Sequence, residues 1–371
     1  MSLATDAAGE SIYPLLPVFL TQVLAAGAVS LGIVEGAAEA ANSILKIVSG
    51  RMADRAPSKR GLVLAGYSLS SAIRPFIAIA RTWGHVFTVR LFDRIGKGVR
   101  GAPRDAMLAA AATPTTRGKV FGFHQAMDNA GAIIGPTLAT IFLIFFPGQY
   151  RTLFALTIIP GAIAVALVFL IKEEPAPEPT AHRPPPVSSP TANRLPTNLR
   201  RFLIVLSVFS LGNSADAFLL LRLTNAAGSA TYVPLMWAGI HVVKTSVSLV
   251  GGAWSDRIGR RAVITTGWIV YAAVYAGFAL SSSLVALLAW FLVYGFYFGF
   301  AEGTEKALVA DLAPAGKRGT AFGYYNGVLG IGQLAASILF GVIWSVFGAA
   351  AAFGTGAALA LAATALLFVT I

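Results

Sequence analysis

Residues 86–112 read VFTVRLFDRIGKGVRGAPRDAMLAAAA. In length and apolar content this stretch should cross a bilayer, yet it carries Arg90, Asp93, Arg94, Lys97, Arg100, Arg104 and Asp105. A charge at the bilayer centre costs roughly 2.5–3.5 kcal/mol even on lenient scales, so such residues persist where they face protein or a water-filled cavity. At about 100° per residue, Arg90, Arg94, Lys97, Arg104 and Asp105 fall within about 100° of one another, and Asp93 and Arg100 widen the stripe. Phe92, Ile95, Val99, Ala102 and Ala106 take the opposite face. The stretch reads as a helix with one side on apolar neighbours and the other along a polar path.

The rest of the chain supplies those neighbours. Hydrophobic residues make up 56% of the 371 residues and charged residues 12%, with a mean hydropathy of +0.72, which places the chain among polytopic membrane proteins. Apolar segments of about 20 residues lie near 2–24, 29–53, 61–80, 84–112, 118–146, 151–171, 200–223, 231–254, 262–281, 284–312, 319–346 and 348–371. The first follows almost directly on Met1, without the charged leader of a cleavable signal. The expected fold is therefore all-α and polytopic, with twelve transmembrane helices. The Pro-rich polar stretch 172–198 cannot form a core and reads as a cytoplasmic linker between an N-terminal bundle, 1–171, and a C-terminal bundle, 199–371.

Basic residues in the breaks set the orientation. Arg51, Arg55, Lys59, Arg60, Arg117 and Lys119, with their counterparts after residue 250, share one side, whereas the other holds little beyond Arg81 and Arg151. The positive-inside rule places the first side, the linker and both chain ends in the cytoplasm, with the spans in a bacterial inner membrane. This asymmetry also accounts for most of the +12 net charge and leaves nucleic acid out of the expected partners. Cysteine is absent, which removes thiolate metal sites and nucleophilic cysteines. No phosphate-binding GxxxxGK[ST] loop or serine nucleophile elbow occurs, so the chain is not read as an enzyme. A sensor or scaffold would require a soluble domain or long tail, and none is visible in the sequence.

The halves resemble each other. GRMADRAPSKR at 50–60 recurs as GAWSDRIGRR at 252–261, and residues 103–125 align with 304–326 at an offset of 201. Internal repeats of this kind mark proteins in which two bundles rock about a site near the midplane. Gly50, Asp54, Arg55 and Lys59, with Gly252, Asp256, Arg257, Gly259 and Arg260, resemble the paired loop signature of the major facilitator superfamily, with Pro57 where the family has Gly. The resemblance extends over the chain and implies two pseudo-symmetric six-helix bundles. In it, Gly50, Asp54, Arg55, Gly252, Asp256 and Arg257 act as gating loops. Arg94 with Gly98 resembles the fourth-span motif of proton-coupled members, from which Lys97 and Arg100 depart as extra cations. Gly131, Gly135 and Pro136 resemble the fifth-span signature of drug/proton antiporter-like exporters, with Ala139 where a further Gly is common.

Acidic residues within the spans complete the reading. Asp6 and Glu10 on the first span, where the resemblance to drug/proton antiporters implies essential carboxylates, and Asp128 on the fifth, are the candidates for carrying protons, since a carboxyl in a dehydrated cavity can load and release one as neighbouring cations move. Glu35, Glu39, Arg90, Arg94, Lys97, Arg104, Asp216, Lys244, Glu302 and Glu305 are the candidates for lining the substrate path. Permanent neutralisation of the carboxylates by the fourth-span cations is the competing structural reading. The function expected is proton-coupled efflux of a small organic molecule by alternating access. It would need no cofactor beyond the proton gradient, and the protein would act as a monomer. The dense cations of the fourth span favour an alternative, uptake or exchange of an organic or phosphorylated anion, and metal export ranks below both.

Overall fold

Proline and glycine decide where this helical chain bends. The structure is a computed structural model and describes residues 1–55, 59–111, 117–170, 195–313 and 318–370. The first rod, α1 (2–23), starts as a regular helix over Ser2–Ile12. Pro14 and Pro17 then remove two backbone donors, and the rod continues as a 3-10 turn over Tyr13–Leu15 and a π turn over Phe19–Val23. There follow α2 (Ala28–Arg55), α3 (Lys59–Ile79), α4 (Trp83–Ala111), α5 (Arg117–Phe145) and α6 (Tyr150–Phe169). The second half holds α7 (Thr197–Ala227), α8 (Val233–Ile258), α9 (Arg260–Leu280), α10 (Leu284–Leu312), α11 (318–347) and α12 (349–370). Gly348 separates the last two with φ 85° and ψ 172°, a backbone region open in practice to glycine alone. The linker expected at 172–198 lies outside the described residues apart from its last few positions.

Among the described residues, seven helical stretches are long and apolar enough to cross a bilayer, and the last of them contains both α11 and α12. The rods outside this group are α1, α2, α4 and α8. They carry Glu10, Glu39, Arg94, Lys97 and Lys244, and these polar side chains lower their hydropathy. Apolar stripes cover the outside. On α5, Ile134, Leu138, Ile141 and Phe145 are exposed at helical spacing, as a lipid-facing side requires.

The offset of 201 residues makes α2 the mate of α8 and α5 the mate of α11. The two halves meet along two seams related by that repeat, α2 on α11 and α5 on α8. The first seam is built from small residues: Gly32 and Gly36 lie on Leu334 and Ser337, and Gly341 on Ala28. Arg151, one of the few basic residues on this side, donates to the Ala78 and Ala80 carbonyls, both at 2.7 Å, and thus closes the end of α3.

Candidate functional site

A cavity of about 430 Å³ opens between the halves, displaced toward the helix ends that carry the basic loops. Its wall on α2 runs from Glu39 to Lys46, on α4 it takes Arg94 and Lys97, and on α10 it descends from Tyr294 to Lys306. Glu302 and Lys306, paired at 2.9 Å, remain half-exposed at this mouth, with side-chain exposures of 59% and 48%. At the other end the α2–α11 seam and the contact of α1 with α7 shut the space.

Glycines place α4. A side chain at Gly96 would run into Ser70 and Gly66 of α3, and one at Gly98 into Leu45 and Asn42 of α2. The backbone of α4 therefore sits deep between two neighbours, and its long cations spread to either side. On the inner side, Arg90 makes a two-pronged contact with Glu35, Nε–Oε1 2.9 Å and Nη2–Oε2 2.7 Å. Asp93 lies 3.6 Å from Arg90 and takes 2.8 Å from Arg74, whose guanidinium also donates to the Thr5 carbonyl. These four side chains are each about 5% exposed or less, and their formal charges cancel.

Arg90 and Glu35, expected along the path, stand off the cavity wall in this conformation. The pair is sealed in the N-terminal bundle, because two carboxylates and two guanidiniums within contact satisfy one another without water. Arg100 is likewise turned away, donating 2.8 Å to Ser70 and stacking on Tyr67. Arg104 reaches Asp105 at 3.2 Å and Ser2 at 3.5 Å, at the basic end of the bundle and off the cavity wall. Arg94 and Lys97 do face the cavity. Arg94 stands 3.6 Å from Glu39, which also accepts 2.8 Å from Asn42.

The C-terminal wall depends on a broken helix that the sequence reading took as continuous. Residues 213–216 of α7 leave the helical conformation between Thr197–Gly212 and Ala217–Ala227. The freed backbone groups are taken up: the Gly212 carbonyl accepts from Tyr271 at 2.8 Å, and the Ala215 amide donates to Ser337 at 3.1 Å. Irregular backbone at membrane depth is tolerated where protein or a cavity covers it. The break brings Asn213 and Asp216 onto the wall, with Asp216 accepting 2.8 Å from Tyr294. The run Gly212-Asn213-Ser214, a cluster of turn formers inside an apolar span, was the available signal. Glu305, 4% exposed, accepts from Trp268 at 2.8 Å and Tyr325 at 3.0 Å.

Of the three candidate proton carriers, Glu10 alone reaches the cavity wall. Its Oε2 accepts 2.8 Å from Nε1 of Trp237, a bond from the N-terminal bundle to the C-terminal one, and Tyr13 packs on the same indole at 4.9 Å. Asp6 sits one turn lower, its Cβ against Gly131 of α5. Asp128 accepts from Ser2 and lies 3.3 Å from His124. Gly131 and Gly135 permit this close approach of α1 and α5, since a Cβ at either would overlap the α1 backbone at Leu3 or Ala7, and α5 runs unbroken through Pro136. Gly135→Ala is expected to cost ~1–3 kcal/mol by forcing α1 away, which thermal unfolding in detergent would measure as a lowered Tm. Of the gating-loop residues, Gly50, Asp54, Arg55, Gly252 and Asp256 have side chains outside the described residues, and Arg257 is exposed.

The comparisons with known proteins agree with this architecture. The Major Facilitator Superfamily profile matches residues 1–244 and 203–371. An uncharacterized MFS-type transporter of Methanocaldococcus jannaschii is 30% identical over 351 residues, covering 93% of this chain and 87% of its own. The multidrug resistance protein MdtH of Shigella boydii is 24% identical over 330 residues, covering 86% and 79%. Among solved structures, a point mutant of the nucleoside transporter NupG superposes with a TM-score of 0.83 at 14% identity, covering 100% of this chain and 98% of that one. Among the described residues the helices form two pseudo-symmetric bundles around a polar cavity, and a family profile that runs from end to end, with a relative 30% identical over 93% of the chain, establishes that this multi-pass membrane protein belongs to the major facilitator superfamily of transporters.

Proposed function

We propose that this protein is a proton-coupled exporter of a small organic molecule, working as a monomer in a bacterial inner membrane with both chain ends in the cytoplasm. The observation that carries the reading is the Glu10–Trp237 bond: a carboxylate on the cavity wall of one bundle held by the other bundle across the seam. Protonation weakens a carboxylate as an acceptor, so proton uptake at Glu10 loosens a contact that exists in one access state. Such a link couples protons to rocking without direct contact between proton and solute. The positive-inside rule turns the cavity mouth toward the cytoplasm, where an exporter loads. The likeness to MdtH, named for multidrug resistance, supports the same direction.

The second reading, uptake or exchange of an organic or phosphorylated anion, is favoured by Lys97 and Lys244 on the wall. Metal export has no donor group in its favour, since among the described residues no three His, Asp or Glu side chains gather closely enough to hold an ion. Flux in proteoliposomes under an imposed pH gradient tests the proposal, with cationic, neutral and anionic solutes outside and a pH reporter within. Solute movement against the protons is the expected result. Exchange of an anion that moves no protons would replace it with the second reading.

A further inference from the structure

The cavity's charged groups are unequally satisfied. Glu39 has Arg94 at 3.6 Å and Glu302 has Lys306 at 2.9 Å. The remaining carboxylates of the wall are each held by a neutral donor: Glu10 by Trp237, Asp216 by Tyr294, and Glu305 by Trp268 and Tyr325. The cations have no such provision. Among the described residues, neither Lys97 nor Lys244 has a carboxylate within 4.0 Å or a hydrogen-bond acceptor, while Lys46 stands exposed at the mouth. The Lys244 ammonium rests instead on the Phe298 ring, 3.3 Å from its centroid, with Trp237 at 5.4 Å. An ammonium withdrawn from bulk water is costly unless an anion or acceptor meets it. The wall's five carboxylates and five cations balance in formal charge, but these two lysines, one on each bundle, have no anion in direct contact.

The surroundings narrow the anion. Tyr13 and Trp237 pack at 4.9 Å, and Tyr294 and Tyr297 stack at 5.6 Å with their planes 12° apart. These rings line the cavity beside the lysines, with Trp237, Tyr294 and Tyr297 each 8% exposed or less, so the lysines stand in largely apolar aromatic surroundings. A phosphoryl group is best met by the fork of an arginine, and the wall's arginine, Arg94, already faces Glu39. A cavity of about 430 Å³ is of the size that encloses a small organic molecule.

We propose that the site takes an organic monoanion, a carboxylate above all, with its acidic group drawn between Lys97 of one bundle and Lys244 of the other beside the aromatic wall. This rests on the reading of the cavity as the transport site. It adds the charge class and the two residues that select it.

Isothermal titration calorimetry on the purified full chain provides the test, using 2-naphthoate, neutral 2-naphthalenemethanol and cationic 2-naphthylmethylammonium. The naphthoate should bind at least about tenfold more tightly than either of the others. Lys97→Gln and Lys244→Gln should each lose about tenfold or more in naphthoate affinity, while Lys97→Arg and Lys244→Arg, which keep the charge, retain most of it. Equal or tighter binding of the ammonium compound overturns the assignment, as does unchanged affinity in both Gln variants or no binding of any of the three. Naphthoate that binds through the lysines but is not carried across proteoliposomes leaves the assignment standing and removes the transport reading. Flux of another solute without naphthoate binding does the reverse.

Discussion

Replacing Arg90 by Ala is expected to lower the stability of the N-terminal bundle by about 3–5 kcal/mol, the range found when one partner of a buried ion pair is removed. Glu35 would lose both of its contacts with the guanidinium, and Asp93 one of its two cations, in a pocket where each side chain is about 5% exposed or less. The cost comes from the uncompensated carboxylate more than from the lost attraction. The double replacement Arg90→Met with Glu35→Met should therefore be much milder than Arg90→Met alone, because no buried charge is orphaned. Thermal unfolding of the parent, Arg90→Met, Glu35→Met and the double variant in one detergent measures the coupling. Additive effects of the two single changes would show that the residues do not stabilise one another.

This group of four also marks where sequence reasoning ended. The charged stripe on α4 was legible, because helical period alone fixes which residues share a face. The division of the stripe was not. Arg90 turns inward and Arg94 and Lys97 turn to the cavity according to what α2 and α3 present there, namely Glu35 and Glu39 on one side and Arg74 on the other. Arg74, inside the apolar run SAIRPFIAIA, carried a signal of its own, since an arginine at that depth requires a buried partner. The two halves were legible from the repeat and most spans from hydropathy, whereas α1, α2, α4 and α8 carry polar side chains that take them below that signal. The break in α7 was hidden because leucine and phenylalanine on both sides of GNSAD kept the window apolar. Contacts across the seam, such as Glu10 with Trp237, join residues 227 positions apart, and nothing in a single sequence pairs them.

That seam contact underlies the second large effect. With one proton exchanged per solute, a gradient of one pH unit stores ~1.4 kcal/mol and supports about tenfold accumulation. In Glu10→Gln the accumulation should fall to the level reached without a gradient, while solute exchange at equal pH on both sides continues. The amide keeps the shape of the side chain and an oxygen that can accept from Trp237, but it cannot release a proton. Trp237→Phe keeps the ring that packs on Tyr13 and removes the N–H, so it should preserve a titratable Glu10 and weaken the bond between bundles by ~1.5–3 kcal/mol, the scale of a hydrogen bond to a charged group. Flux that stays proton-driven but loses tightness of coupling is the outcome expected for that variant. If Glu10→Gln accumulates solute as well as the parent, the proton must travel elsewhere. Asp6, against Gly131, and Asp128, bound to Ser2 and His124, are then the carboxylates to replace. Both lie off the cavity wall, so a proton carried by either would act on the packing of α1 against α5 and not on the solute.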